Sequence, residues 1–204
     1  MLKIYNITKD FYYDVHLWGY GKLALIISIA GCNLDCDTCK DKEIISGNTF
    51  TDLNVNNLNL YEPYKYVVIS GGEPLLQEKQ LIELVLTLQK RKKFITIVTN
   101  GSLYIPDIIH NEFVSWIINY RLPSTNYTDW MITDWYHKLN ANDFVKFELL
   151  TDTDFEFAMN IVQAIKEVNT TFFNFAFTVG NDSQILYDNF KNNILNEFTD
   201  VIYI

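Results

Sequence analysis

Residues 23–40 read LALIISIAGCNLDCDTCK, and the way the first seven residues run into the rest decides the fold. Residues 23–29 are nearly all apolar and rich in β-branched side chains, a composition that suits a strand buried on both faces. The run ends at Gly31, and the chain then delivers Cys32, Cys36 and Cys39, which are all the cysteines it has.

The same pattern recurs at residues 66–70 (YVVIS), 94–98 (FITIV), 114–119 (VSWIIN), 144–149 (FVKFEL) and 172–178 (FFNFAFT), each followed by a polar or glycine-containing turn. Between these six strands lie helical periodicities. Residues 77–89 place Leu81, Leu84, Val85 and Leu88 on one face, and residues 155–168 do the same with Phe157, Ile161, Val162, Ile165 and Val168, with Asp154 as candidate cap. Weaker helices are expected over 129–139 and 183–193, and the Asn-rich stretch 48–59 reads as a loop or a short irregular helix. Apolar strands alternating with helices imply parallel pairing. A closed eight-stranded barrel takes about 250 residues, whereas this chain has 204. The expectation is therefore an α/β fold, a partial (β/α)6 TIM-like barrel open on one side, with the cysteine loop after the first strand. It forms one domain over 1–204, with a core of about 23–178 and a C-terminal extension over 179–204.

Sixteen Lys and Arg against 25 Asp and Glu give a net charge of −9, a field that repels a phosphate backbone and argues against nucleic acid as partner. The N-terminus lacks a basic region followed by a long apolar stretch, and the longest apolar runs are half of what a bilayer needs. The expected location is cytoplasmic, where thiols stay reduced and serve metals or catalysis. His16, His110 and His137 read as surface or loop residues, Lys90–Lys93 (KRKK) as solvated charges at a helix end, and Phe172, Phe173, Phe175 and Phe177 as core. The closing VIYI, residues 201–204, suits a tail packed on the open side of the barrel or on a second subunit in a homodimer.

In parallel α/β proteins ligands gather at the carboxyl ends of the strands. The first strand delivers three thiols at three-then-two spacing, which lets a short loop hold three irons of a [4Fe-4S] cluster and leaves the fourth iron open. Zinc would want a fourth ligand, and the three histidines are remote; inert or redox-sensing thiols are the other alternative. The second strand ends in SGGEPLLQ, residues 70–77. Gly71 and Gly72 let a backbone approach a ligand, Glu73 accepts hydrogen bonds, and Pro74 pre-sets the following helix. The third strand ends in TNGS, where Thr99 and Asn100 offer short polar groups.

Together the cysteine triplet and the Gly-Gly-Glu-Pro turn resemble the radical S-adenosylmethionine superfamily. The resemblance implies a [4Fe-4S] cluster on Cys32, Cys36 and Cys39 whose open iron binds the amino and carboxylate groups of S-adenosylmethionine, with Gly71, Gly72 and Glu73 at the methionine amine and Thr99 and Asn100 close by. GCNLDCDTC, VVISGGEPLLQ, TNGS, SWIINYRLPST and FVKFEL are together similar to the 7-carboxy-7-deazaguanine synthase family. That likeness implies a lyase of queuosine biosynthesis acting on a small substrate, 6-carboxy-5,6,7,8-tetrahydropterin, with magnesium as a further cofactor and a reductant such as flavodoxin or ferredoxin. It also places Arg121 and Ser124 near cofactor or substrate. The chain departs from the family pattern at Lys40 and Asp41, at Asn119, and in HLWGYGK over 16–22, where Trp18 and Tyr20 become candidate pocket residues. These departures keep open a radical enzyme with a different small substrate, and the size keeps open an activating enzyme for an anaerobic, glycyl-radical ribonucleotide reductase. A non-enzymatic iron-sulfur electron carrier is the remaining alternative.

Overall fold

The structure, a computed structural model, describes residues 1–15, 21–39, 42–56, 63–172, 174–180, 188, 191 and, for the backbone, 201–203. The expected helix over 183–193 and His16, Trp18, Tyr20, Lys40, Asp41 and Phe173 lie outside the described residues, the helical positions 188 and 191 excepted. All six expected strands form: β2 (Lys22–Ile29), β4 (Tyr66–Gly71), β5 (Phe94–Thr99), β6 (Val114–Tyr120), β7 (Phe144–Leu149) and β8 (Phe175–Val179). They lie side by side and parallel, within a nine-stranded sheet of order β3-β1-β2-β4-β5-β6-β7-β8-β9. Among the described residues the end strands do not meet, so the sheet stays open.

Three strands extend the expected set. β1 (Leu2–Tyr12) pairs antiparallel with β2 and carries a register shift between Ile4 and Asn6. β3 (Thr51–Leu53) pairs antiparallel with β1, so the stretch read as loop or irregular helix contains a strand. β9 (Val201–Tyr203) adds to β8 in parallel, so the C-terminal tail continues the sheet.

The strands are apolar on both faces because each face has its own core. On the outer face Leu25, Ile27, Ile69, Ile97, Trp116, Phe147 and Phe177 meet helices α2 (Glu78–Gln89) and α3 (Asp152–Val168) through Leu81, Leu84, Val85, Ala158, Val162 and Ile165. Burying each such large aliphatic side chain contributes about 1.5–3 kcal/mol. On the concave face a small second cluster of Val15, Ile117, Phe144 and Ala176 makes a floor. Short α1 (Lys42–Ser46) follows the cysteine loop.

Some local readings change. Asp154 is not the cap of α3: Thr151 is, and Asp154 completes a capping box at the third helical position. Residues 129–139 form no α-helix but 3-10 turns at Thr128–Trp130 and Tyr136–Lys138, because Trp135 turns inward and donates from Nε1 to Gly101 O at 3.3 Å. Lys93 is buried rather than solvated. The His110 ring is largely covered, although the residue as a whole is half-buried, and its Nε2 lies 2.7 Å from Asp143 Oδ2.

Candidate metal centre

The loops after β2, β4, β5 and β6 converge on one pocket. Its walls hold Cys32, Cys36 and Cys39 from the first loop, Gly71 and Gly72 from the second, Thr99 and Asn100 from the third, and Asn119 and Arg121 from the fourth.

Backbone bonds set the cysteine loop. Gly31 N donates to Ile44 O at 2.8 Å and Cys32 N to Ile45 O at 3.2 Å, so α1 closes the loop from behind. Gly72 N donates to Ile29 O at 2.9 Å and Glu73 N to Gly31 O at 2.8 Å, which ties the β4 turn to the cysteine loop. Two glycines make this approach feasible. Gly71 has φ +102°, and a β-carbon on it would lie 2.6 Å from Ile29 N.

Glu73 is fully buried. Its carboxylate accepts from Leu75 N at 3.0 Å, Thr99 Oγ1 at 2.9 Å and Asn100 N at 2.7 Å. Burial pushes its carboxyl above the usual range, opposed by these three donors and by Arg121. Glu73 therefore stands behind the pocket wall and braces one loop against the next. Thr99 and Asn100 line the pocket, yet their polar side-chain atoms also bond within the protein. Asn100 Nδ2 reaches Asn33 Oδ1 at 3.0 Å and Cys32 Sγ at 3.7 Å, and its Oδ1 accepts from Ser102 N at 2.9 Å and Ser102 Oγ at 2.6 Å. Ser124 is not on the pocket wall; it lies on the 3-10 turn Pro123–Thr125, where its amide donates to Asp154 Oδ1 at 3.0 Å. Sequence reasoning missed Asn33, Ser102 and also Tyr127, whose hydroxyl accepts from Asp35 N at 3.1 Å, and it read Asp154 only as a helix cap. Paired polar residues give no spacing signal when their partners are distant in sequence.

The donor set fits an iron-sulfur cluster. Soft thiolates are its ligands. Burial pushes the Cys32 and Cys36 thiols up, while the Arg121 charge pulls both down; Leu34 N, 3.4 Å from Cys32 Sγ, and Asn100 pull down Cys32 alone. Among the described residues no three His, Cys, Asp or Glu side chains close on a point as ligands of a single ion do. The three thiols stand around one pocket, one thiolate for each of three irons of a cluster. Beside them, Arg121 Nε and Asn119 Oδ1 are buried without a partner, a cation edge and an acceptor that a polar ligand would satisfy.

A family model described as 4Fe-4S single cluster domain matches residues 17–120. The chain is 31% identical to 7-carboxy-7-deazaguanine synthase of Methanospirillum hungatei over 71% of this chain, and spans 60% of that enzyme's length. It is 29% identical to 7-carboxy-7-deazaguanine synthase of Clostridium acetobutylicum over 90% of this chain and 86% of that one. The crystal structure of QueE from Escherichia coli superposes with a TM-score of 0.72 over 100% of this chain and 93% of the other, at 15% identity, which establishes the likeness of fold. With three thiols, a paired-glycine turn and an unpartnered guanidinium on one pocket, the chain belongs to the 4Fe-4S single cluster domain family and is a radical S-adenosylmethionine protein similar to 7-carboxy-7-deazaguanine synthase.

Proposed function

We propose that the protein converts 6-carboxy-5,6,7,8-tetrahydropterin to 7-carboxy-7-deazaguanine as a radical S-adenosylmethionine enzyme. The observation that carries this reading is the meeting of the cysteine triplet, the Gly71–Gly72 turn and Arg121 on one pocket, although they come from three different loops. Cys32, Cys36 and Cys39 would hold three irons of the cluster, and the open fourth would take the methionine end of S-adenosylmethionine. Bound and reduced there, the two cofactors would supply the one-electron chemistry that takes a hydrogen atom from the substrate.

The chain's own residues do the rest. Gly71 and Gly72 keep the β4 turn free of side chains, so a ligand can lie against backbone. Asn100 donates toward Cys32 Sγ and favours the thiolate. Arg121 supplies positive charge facing both Cys32 and Cys36 and a fork for a carboxylate. Buried Leu34 and half-buried Ile45 line the same pocket and exclude water from it. A one-electron donor of the flavodoxin or ferredoxin type is the partner this chemistry requires. No described helix is long and apolar enough to cross a membrane.

The test is anaerobic reconstitution with iron and sulfide, then incubation with S-adenosylmethionine, a reductant and 6-carboxy-5,6,7,8-tetrahydropterin. Deoxyadenosine together with 7-carboxy-7-deazaguanine is the expected result. Deoxyadenosine without that product would overturn the substrate, and a complete cluster with full cleavage activity in Cys36→Ala would overturn the ligand assignment.

A further inference from the structure

The concave face of the sheet carries a second cavity of about 240 Å³, lined by Asn119, Tyr120, Arg121, Lys146, Glu148 and Thr178. Strand alternation explains its chemistry. On β6, β7 and β8 the inward positions start with Ile117, Phe144 and Ala176, which form the apolar floor. Two residues further toward the carboxyl ends the same faces present Asn119, Lys146 and Thr178, and β7 adds Glu148. The register sets Asn119 opposite Lys146 and Glu148 opposite Thr178. Asn119 and Arg121 line this cavity and the cysteine pocket alike, so the two are contiguous.

The charges in it are unevenly committed. Lys146 Nζ donates to both carboxylate oxygens of Asp14, each at 2.9 Å, so its charge is already balanced. Arg121 Nε and Asn119 Oδ1 are buried with no partner at the wall shared with the cysteine pocket. Glu148, at the far side, is exposed, and no described residue offers it a hydrogen bond or ion pair. The cavity thus has an unmet cation edge beside the cysteine pocket and an unmet carboxylate away from it.

We infer that Glu148 is a specificity-determining residue that accepts the paired N–H groups of a 2-amino-4-oxopyrimidine edge, with Thr178 beside it. The inference rests on the tetrahydropterin reading above and assigns the substrate its direction. The ring carbon of that substrate that bears the carboxylate also neighbours a ring amine, and a radical there is stabilised by both substituents. That carbon must face the cysteine pocket, which brings its carboxylate to Arg121 and sends the aminopyrimidinone edge toward Glu148. A carboxylate is an acceptor-only group whose two oxygens match two adjacent N–H donors, as they match an arginine fork. Mean strand spacing puts Asn119 and Glu148 roughly 8 Å apart at their α-carbons, a separation on the scale of a fused bicyclic ring.

The test is binding, independent of turnover. Equilibrium dialysis of the anaerobically cluster-loaded protein is run with 6-carboxypterin, the aromatic analogue that cannot donate the hydrogen, and with 6-carboxylumazine, which has a carbonyl in place of the 2-amino group. The wild type is expected to prefer 6-carboxypterin. Glu148→Gln, whose amide offers one acceptor and one clashing donor, is expected to bind 6-carboxypterin at least about tenfold more weakly and to lose the preference. Unchanged affinity and preference in Glu148→Gln would overturn the inference while leaving the substrate reading intact. A wild-type protein that holds its cluster and cleaves S-adenosylmethionine yet binds neither pteridine would overturn the substrate reading itself. Because Glu148 is exposed, the variant is expected to melt with the wild type, which a thermal scan verifies.

Discussion

A β-carbon placed on Gly72 would lie 1.9 Å from the carbonyl oxygen of Gly31, a backbone atom that cannot swing aside. Two of the four loops that build the cysteine pocket therefore touch through bare backbone. Gly72→Ala must push the β4 turn away from the cysteine loop. Overpacking of this kind costs about 1–3 kcal/mol, and the displaced thiols should hold less iron. Iron content per chain after reconstitution, together with the urea midpoint of the apo protein, checks both effects.

Glu73→Ala leaves three buried donors, Leu75 N, Thr99 Oγ1 and Asn100 N, without their acceptor. Each unmet buried donor costs about 1–3 kcal/mol, so the apo protein should unfold markedly more easily. That readout separates a brace from a ligand contact. A residue that only touched S-adenosylmethionine would weaken its binding and leave the apo melting temperature unchanged.

Asp154 accepts from Ser124 N at 3.0 Å, Leu150 N at 3.0 Å and Thr151 N at 3.1 Å, and so joins the turn after β6 to the start of α3. Asp154→Ala should cost about 2 kcal/mol or more, since it removes the third-position half of the capping box and strands these amides. Hydrogen exchange should speed up at residues 121–125 and 150–155 together, while the cysteine loop on the other side of the pocket keeps its protection.

Arg121→Lys retains a charge but not the planar fork, whereas Arg121→Met removes both. If the guanidinium faces a carboxylate in the pocket, the lysine variant should keep turnover within roughly tenfold and the methionine variant should fall by about a hundredfold or more. Steady-state rates of deoxyadenosine formation, measured with saturating reductant, decide between them.

The parallel strands were legible because each is buried on two faces and so appears as an unbroken apolar run, residues 23–29 being the clearest. β1 was not, for a physical reason. Its outward half is solvated, and the register shift between Ile4 and Asn6 breaks the alternation that would mark a half-buried strand. Residues 129–139 misled because Trp135 and Tyr136 fill the core from short turns, which gives apolar spacing without a helix. At the site, Cys32, Cys36 and Cys39 could be read from their spacing, and Gly71 and Gly72 from the glycine turn that ends an apolar strand. Asn33 and Ser102, 69 positions apart, could not, nor could Asp14 and Lys146, 132 apart; such pairs exist only once the sheet has brought the strand ends together.

Arg121 and Asn119 form a party wall between two cavities, and a shared wall makes occupancy reciprocal. Whatever factor a ligand on one side imposes on affinity at the other, the second ligand returns the same factor to the first. An anion drawing the guanidinium toward the thiols would change what the far cavity can hold, and a ligand settling in the far cavity would change how firmly the first is kept. Where ligands on both sides contact Arg121, the two occupancies form a single linked equilibrium, with one side chain as its hinge.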